Sequence, residues 1–134
     1  MFGSLDISAS ALVAQRQRLT AISANLAMRP VAVDPNADPD LFRRRITIFS
    51  PGDPARGSDK GVHLKEILLD QSPFTKKWDP GHPYADADGY VQFPNVDPSI
   101  EMINAIEASR AYEANITAAE ATKTMLQTSI RILA

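Results

Sequence analysis

The positions of proline divide this chain of 134 residues into two ends and a middle. All ten prolines lie between positions 30 and 98, and five of the six glycines lie between 52 and 89. Proline removes a backbone donor and clashes with the preceding helical turn, so long helices are expected only in the two proline-free ends. The distribution predicts an α+β fold with an N-terminal helix, a β-containing middle and a C-terminal helix.

The first end carries one apolar stripe with a seven-residue spacing, which is typical of a helix that buries a single face. The stripe consists of Leu5, Leu12, Leu19 and Leu26, with Ala9, Val13 and Ile22 beside them. Ser4 is a suitable N-cap for this helix. Arg29 precedes Pro30 and is disfavoured in helical geometry, so we expect the helix to end near Ala27 or Met28.

The last end carries a second stripe, which is wide but shallow. Asp97 and Pro98 form a good cap and first-turn pair for a helix that runs to the C-terminus. Its seven-residue series is Tyr112, Ala119, Leu126 and Leu133, flanked by Ala111, Ala118, Met125 and Ile132 on one side and by Ile116 and Ile130 on the other. Small side chains let helix axes approach closely, and Asn115 and Thr122 in the seam can fix register and partner number. Such a helix is suited to packing among neighbours in an assembly.

The last helix would be long, since about 36 residues at 1.5 Å each span roughly 54 Å. A middle of this size cannot cover that length, so the two helices need each other or other chains, and we predict that they pair as a coiled coil. An antiparallel helix pair packed on a small sheet within one monomer is the alternative. The predicted assembly interface comprises Leu5, Leu12, Leu19, Ile22, Leu26, Tyr112, Ile116, Ala119, Leu126, Ile130 and Leu133.

Two alternating segments of the middle predict strands, at 42–49 (FRRRITIF) and at 62–69 (VHLKEILL). The polar segment between them, 50–61, contains several turn-forming residues and predicts an exposed loop. A third strand is predicted at 89–93 (GYVQF), after an Asp-Gly pair that favours tight turns.

The segment 30–40 holds three prolines and three aspartates and predicts an extended connector. The domain prediction is therefore a discontinuous helical core, formed by 1–29 and 97–134, and a β-rich middle domain with extended connectors over 30–96.

Composition excludes several classes of function. Fourteen basic residues against 16 acidic residues give a net charge of −2, which offers no electrostatic footprint for a nucleic acid. The lack of cysteine excludes disulfides, thiolate zinc sites and cysteine nucleophiles. Asp6, Arg16 and Arg18 stand where a secretory signal would need an apolar core, and no stretch approaches the roughly 18 apolar residues of a membrane span. We expect no nucleic-acid partner, no direct membrane insertion and no cleaved signal peptide.

The residues with metal-binding potential do not form a motif. His63 and His82 are unpaired in the sequence and are interpreted as structural or surface histidines. Asp86, Asp88 and Gly89 resemble part of a calcium loop, but an asparagine stands where the loop needs its bidentate glutamate, so a turn is the better interpretation.

The run Arg43, Arg44, Arg45 alternates in a strand, with Arg44 on the face opposite to its neighbours, and it predicts a solvated strand edge. No phosphate-binding glycine loop and no nucleophile motif is present. We predict no catalytic residue, no cofactor and no metal.

Two stretches carry a family resemblance. The first, LDISASALVAQRQRLTAISANLA at 5–27, resembles the N-terminal signature of bacterial flagellar axial proteins. The second, at 72–125, contains DPGHP, GYV, PNV and EASRAYEAN and resembles the proximal rod proteins of the flagellar basal body. Members of this family typically continue from the first helix with Asn-Ile-Ala-Asn, whereas here Asn25 is followed by Leu-Ala-Met-Arg-Pro, so the resemblance does not extend to the turn after the first helix.

The resemblance implies a non-enzymatic structural subunit of the periplasmic rod. Its terminal helices would pair and line the inner tube, its middle would lie outside, and its partners would be copies of itself and other rod proteins. It also implies export through the flagellar type III apparatus without a cleaved signal peptide. A cytoplasmic coiled-coil adaptor or export-associated binding module is the alternative function, and an enzyme on a small α+β domain is the third hypothesis.

Overall fold

The fold was obtained as a computed structural model that describes residues 2–53 and 57–133. Its order is helix α1, a short 3-10 helix, strands β1 to β4 and helix α2, which confirms the predicted α+β class. The bounds are α1 Phe2–Met28, the 3-10 helix Pro39–Phe42, β1 Arg45–Asp53, β2 Ser58–Leu69, β3 Thr75–Trp78, β4 Tyr90–Phe93 and α2 Pro98–Leu133.

The two long helices lie antiparallel and pack against each other. Asn25, near the end of α1, contacts Glu101 near the start of α2, and Arg18, two turns earlier, contacts Glu107. The predicted pairing of the two terminal helices is confirmed. Within this chain the helices are antiparallel, as in the alternative of an antiparallel helix pair in one monomer.

The ends of the helices follow the sequence signals with one exception. Helix α1 ends at Met28, immediately before the Arg29–Pro30 pair, as predicted. The carboxylate of Asp97 accepts a hydrogen bond from the amide of Ser99 at 2.8 Å, which confirms the predicted cap of α2. The cap assigned to Ser4 is wrong, because α1 already begins at Phe2.

Helix α2 is longer than its partner. It has 36 residues against 27 in α1, and the two helices start their pairing at the junction of Asn25 with Glu101. The last nine residues of α2 therefore extend past the first residue of α1, a segment that we call the α2 overhang (residues 125–133).

Strands β1 and β2 form an antiparallel hairpin that packs on α1, so α1 lies between α2 and the hairpin. Both strands were predicted, but their bounds differ: β1 starts at Arg45 instead of residue 42 and runs on to Asp53, and β2 starts at Ser58 instead of residue 62. Pro51 and Gly52 do not end β1, because proline is tolerated on an edge strand and Gly52, with φ +90°, sits at a register shift of the ladder. The loop predicted at 50–61 is therefore wrong at both ends, and its residues 54–56 lie outside the described residues.

Helix α1 meets β2 most closely at Gly61. The amide of Val62 donates a hydrogen bond to the hydroxyl of Ser10 at 3.1 Å. A Cβ atom at Gly61 would lie 2.6 Å from that hydroxyl oxygen, and the φ of Gly61 is +94°. Glycine is thus required at this position by both the backbone and the close approach.

Strands β3 and β4 form a second antiparallel hairpin. Strand β4 was predicted, whereas β3 was not, because its sequence, TKKW, is short and mostly polar. The predicted turn before β4 is present: Gly89 has φ +81°, and the carboxylate of Asp86 accepts hydrogen bonds from the amides of Asp88 and Tyr90.

The segment 30–40 is not an extended connector. The amide of Val33 donates to the carbonyl of Gln92 in β4 at 2.8 Å, and the Val33 side chain is buried. The carboxylates of Asp34 and Asp38 then accept local amide hydrogen bonds that fold the rest into turns and cap the 3-10 helix. The aspartates that suggested an extended linker are turn and cap residues instead.

The core is thin and rich in small residues. Among the described residues, the buried apolar side chains are Ala14, Ala21, Ile22, Val33, Val91, Val96 and Ala108, and the buried polar ones are Ser8, Asn25 and Glu101. A core of this composition leaves many large apolar side chains exposed.

Candidate assembly surface and buried polar junction

The face of α2 that packs on α1 follows a regular heptad pattern. Its buried and half-buried positions include a series in steps of four and three: Glu101, Ala105, Ala108, Tyr112, Asn115, Ala119 and Thr122. The same spacing continues into the α2 overhang at Leu126 and Ser129, which are also half-buried. Small side chains dominate, which allows close approach of the two helix axes. We call this face the α2 seam.

Two polar residues in the middle of the α2 seam, Asn115 and Thr122, form their side-chain hydrogen bonds within α2 itself. The amide nitrogen of Asn115 donates to the carbonyl of Ala111 at 2.7 Å, and the hydroxyl of Thr122 donates to the carbonyl of Ala118 at 2.9 Å. These bonds to the preceding turn leave no polar link across the seam at either position. The prediction that they fix register is therefore not supported within the chain.

The predicted interface residues separate into two groups. Ile22 is buried, and Leu5, Leu12, Leu19, Leu26, Tyr112, Ala119 and Leu126 are half-buried. Ile116 and Ile130 lie on the surface, with 37% and 64% of their area exposed, and the side chain of Leu133 lies outside the described residues. The prediction thus combined residues that pack within the chain with residues that face solvent.

Large apolar side chains are exposed at both ends of α2. Near its start they are Ile100, Met102, Ile103 and Ile106, and on the α2 overhang they are Met125, Ile130 and Ile132. Ile132 is 79% exposed and Met125 is 66% exposed. Exposed apolar side chains grouped in this way at each end of a helix mark interaction surfaces. We call these seven residues the α2 apolar surface.

A buried polar junction lies where α1, α2 and β1 meet. The side-chain amide of Asn25 accepts from the backbone amide of Arg45 at 2.8 Å and donates to its carbonyl at 2.9 Å, as a neighbouring strand would. The same nitrogen donates to the carboxylate of Glu101 at 3.1 Å. Asn25 and Glu101 are each only 1% exposed.

The arginine immediately before β1, Arg44, completes this junction. The guanidinium of Arg44 contacts the other carboxylate oxygen of Glu101, with Nε at 2.7 Å and Nη2 at 2.6 Å. Both oxygens of Glu101 and both donors of Asn25 are therefore used, as a buried charged group requires. We call Asn25, Arg44 and Glu101 the polar junction.

The sequence analysis missed the polar junction and interpreted its arginine wrongly. Arg43 and Arg44 lie before β1 and not in the predicted strand, and Arg44 pairs with a buried acid instead of forming a solvated strand edge. The available signal was Glu101, which continues the seven-residue series of Ala108, Asn115 and Thr122 into the seam. A carboxylate at a seam position requires a cation nearby, and the arginine run is the nearest cluster of cations on a predicted strand.

Arg43, the residue before Arg44, makes a separate set of contacts. Arg43 forms an ion pair with Asp40 at 2.9 Å, donates to the carbonyl of Asp70 at 3.1 Å and stacks on Phe74 at 5.2 Å from the ring centre. Hydrogen bonds from the hydroxyl and amide of Ser72 lower the pKa of Asp70, and the positive charges of Arg44 and Arg43 lower it further. The carboxylate of Asp70 thus holds the turn that follows β2, and the backbone carbonyl of Asp70 joins this turn to Arg43.

The two histidines bond to the backbone on separate hairpins. A ring nitrogen of His63 lies 2.8 Å from the carbonyl of Gly52, and a ring nitrogen of His82 accepts from the amide of Tyr84. Across residues 2–53 and 57–133, no three His, Asp or Glu side chains come together in a group suited to a metal ion. In the same part of the chain, neither helix has the length and apolar character that crossing a membrane requires.

The C-terminal third of the chain matches a known family model. Residues 87–132, which include β4 and almost all of α2, match the family described as flagellar basal body rod FlgEFG protein C-terminal. The match therefore covers the helix that carries the α2 seam and the α2 apolar surface.

Similarity to curated proteins extends over the whole chain. A flagellar basal-body rod protein FlgC of Bacillus subtilis is 39% identical, over 98% of this chain and 97% of its own length. The protein of the same name from Escherichia coli is 37% identical over 90% and 89% of the two chains, and that from Borreliella burgdorferi is 36% identical over 99% and 97%. Identity at this level, over nearly complete lengths, establishes common descent and a common fold. The chain belongs to the FlgC family of flagellar basal-body rod proteins.

Proposed function

We propose that the chain is a structural subunit of the bacterial flagellar proximal rod. It assembles helically with copies of itself and with other rod proteins, and it transmits torque without performing catalysis. The observation that carries this function beyond family membership is the α2 apolar surface, because a single chain leaves it in water at a cost that an assembly removes.

The helical part and the β-rich part of the chain have different proposed roles. Residues 1–29 and 97–134 form the helical core and line the inner tube, while residues 30–96 form the outer, β-rich part. The subunit interface is proposed to include Ile116 and Ile130, which are exposed, and the ends of the stripes at Leu5, Leu126 and Leu133. The remaining stripe residues, such as Ile22 and Leu19, serve the interface indirectly by holding α1 on α2.

Torque transmission requires a stiff structure. Side chains packed at the density of a crystal resist compression and shear, so interdigitated helices supply stiffness along the tube. The small residues of the α2 seam favour this property, because they bring the two helix axes close together. Different faces of α2 bind α1 and neighbouring subunits, as a helical assembly with non-closing contacts requires.

We further propose that the chain reaches the periplasmic rod through the flagellar type III export apparatus, without cleavage of a signal peptide. The thin core favours transport in an unfolded state, because little local packing must be broken before export. The intact mass of the subunit recovered from rods tests this route. This mass should equal that of the subunit in the cytoplasm before export, and loss of an N-terminal segment would contradict the proposed route.

Mass spectrometry of purified hook–basal bodies tests the proposed function directly. The subunit should be present in intact rods at a level similar to that of other proximal rod proteins. Its absence from rods, together with recovery from the cytoplasm as a discrete small oligomer, would overturn the proposal and favour the coiled-coil adaptor.

A further inference from the structure

The α2 seam does not by itself specify how far α1 and α2 slide along each other. Its positions repeat every seven residues with small side chains, and Asn115 and Thr122 bond within their own helix. A shift of one heptad would therefore place similar side chains opposite α1 along most of the seam. Another feature must set the register.

The polar junction distinguishes the observed register from its neighbours. If α2 shifts by one heptad in one direction, Asn25 comes opposite Ala108, which has no polar atom in its side chain. If it shifts the other way, Asn25 lies beyond the first residue of α2, Pro98. In both cases Asn25 loses the Glu101 carboxylate, and Glu101 leaves the reach of Arg44. An unpaired buried carboxylate is strongly unfavourable, so both shifts are penalised.

We propose that Asn25, Arg44 and Glu101 are specificity-determining residues that fix the register of the two terminal helices and select β1 as the third element packed on them. Asn25 is suited to this task because its carboxamide presents an acceptor and a donor side by side, which match the backbone amide and carbonyl of Arg45. Glu101 then links that strand to α2 through Arg44. The inference concerns the isolated chain and does not depend on the proposed function.

Distance measurements between two spin labels test the register. The chain has no cysteine, so labels can be placed at Arg16→Cys and Lys123→Cys, two exposed positions on α1 and α2. In the observed register these positions are offset by about 20 Å along the helix axis, and a shift of one heptad changes that offset by about 10 Å. The labelled full-length protein should give one narrow distance.

Two variants of the polar junction and one control complete the experiment. Glu101→Gln removes the buried charge with little change of shape, and the triple variant Asn25→Leu, Arg44→Met, Glu101→Leu replaces the junction by apolar groups. The control, Glu107→Gln, makes the same chemical change at a carboxylate whose side chain is 66% exposed. Both junction variants should show a second distance population while keeping their helical circular dichroism, and the control should match the parent.

A single unshifted distance in Glu101→Gln would overturn the inference, whether or not the triple variant folds. A broad distribution in the labelled parent protein would also overturn it, because the proposal requires the isolated chain to hold one register. A second population in Glu107→Gln of the same size as in Glu101→Gln would show that register responds to any lost charge and would equally contradict it.

Discussion

Among single residues, the buried polar side chains of Asn25 and Glu101 have the strictest hydrogen-bonding requirements. Each is almost completely buried, and each uses its polar atoms on a partner from a different element. Such groups contribute little net free energy when paired but are costly when a partner is removed. The polar junction therefore makes the fold sensitive to single substitutions at positions that lie outside every apolar stripe.

Truncation of Glu101 should lower the free energy of unfolding substantially. Glu101→Ala leaves Arg44 and Asn25 without their common partner, and a broken buried ion pair typically costs about 3 kcal/mol. Glu107→Ala, which removes an exposed carboxylate 3.4 Å from Arg18, should change stability by no more than about 0.5 kcal/mol. Urea unfolding of both variants at unchanged m-value provides the comparison. Equal losses of unfolding free energy in the two variants would show that the burial of Glu101 does not determine the cost of removing it.

At the scale of elements, the contact of α1 with β2 depends on one glycine. Gly61→Ala must place a Cβ atom 2.6 Å from the Ser10 hydroxyl at a positive φ, whereas Gly57→Ala meets only a positive φ. We expect Gly57→Ala to cost roughly 1 kcal/mol, from backbone conformation alone, and Gly61→Ala to cost clearly more. Thermal unfolding of the two variants measures the difference. If Gly61→Ala were as stable as Gly57→Ala, the close packing of Ser10 on β2 would be incorrect.

The turn after β2 should make stability depend on pH in the acid range. The pKa of Asp70 in the folded chain lies below its ordinary value of 3.8, because Ser72 donates two hydrogen bonds to the carboxylate. The stabilising contribution is therefore complete above pH 3.8 and is lost as the pH falls through the lowered pKa. Asp70→Asn should reduce the slope of stability against pH below pH 4, and Ser72→Ala should reduce it partly. An unchanged slope in both variants would show that the Asp70 carboxylate is not the source of the pH dependence.

The sequence predicted the helices more accurately than the strands, for a physical reason. Proline and capping residues act locally, so the Arg29–Pro30 pair and Asp97 located two helix ends from their neighbours alone. The ends of β1 and the existence of β3 depend on partners distant in the chain, such as Val62 opposite Pro51. The aspartates of segment 30–40 were misread because linkers and capped turns share the same composition.

In the candidate site, too, the features with a local sequence signal were predicted, and those that depend on residues distant in the chain were not. Periodicity identified the apolar stripes, and eight of their eleven predicted residues lie buried or half-buried. It did not separate Ile116 and Ile130, which lie on the surface, from Leu19 and Tyr112, which pack within the chain. The stripe of α2 is wider than its contact with α1, and only the position of α1 shows which part of the stripe packs within the chain. The polar junction was missed because its three residues come together only in the folded chain.

At the scale of the whole molecule, charges in the stripes should affect folding and assembly differently. Leu19→Asp places a charge at a half-buried position and should reduce the stability of the isolated subunit as well as abolish motility. Ile116→Asp, at a position 37% exposed, should abolish motility while changing the stability of the isolated subunit much less. Neither substitution should prevent expression.

Swimming assays in a strain that lacks the native subunit, with urea unfolding of each purified variant, separate the two effects. Thr117→Asp introduces the same charge at the next, exposed residue of α2 and should retain more motility than Ile116→Asp. Normal swimming with both Leu19→Asp and Ile116→Asp would count heavily against the role proposed for the helices.

Hydrogen exchange in the α2 overhang should differ between the free subunit and the assembled subunit. The backbone amides of the α2 overhang belong to a helix end that extends past the first residue of α1, so in the free subunit they should exchange with deuterium far faster than those beside Glu101. When neighbouring subunits cover Met125, Ile130 and Ile132, the same amides should become slow to exchange. The ratio of exchange rates between the two ends of one helix then reports, in a single spectrum, what fraction of the chains has joined a rod.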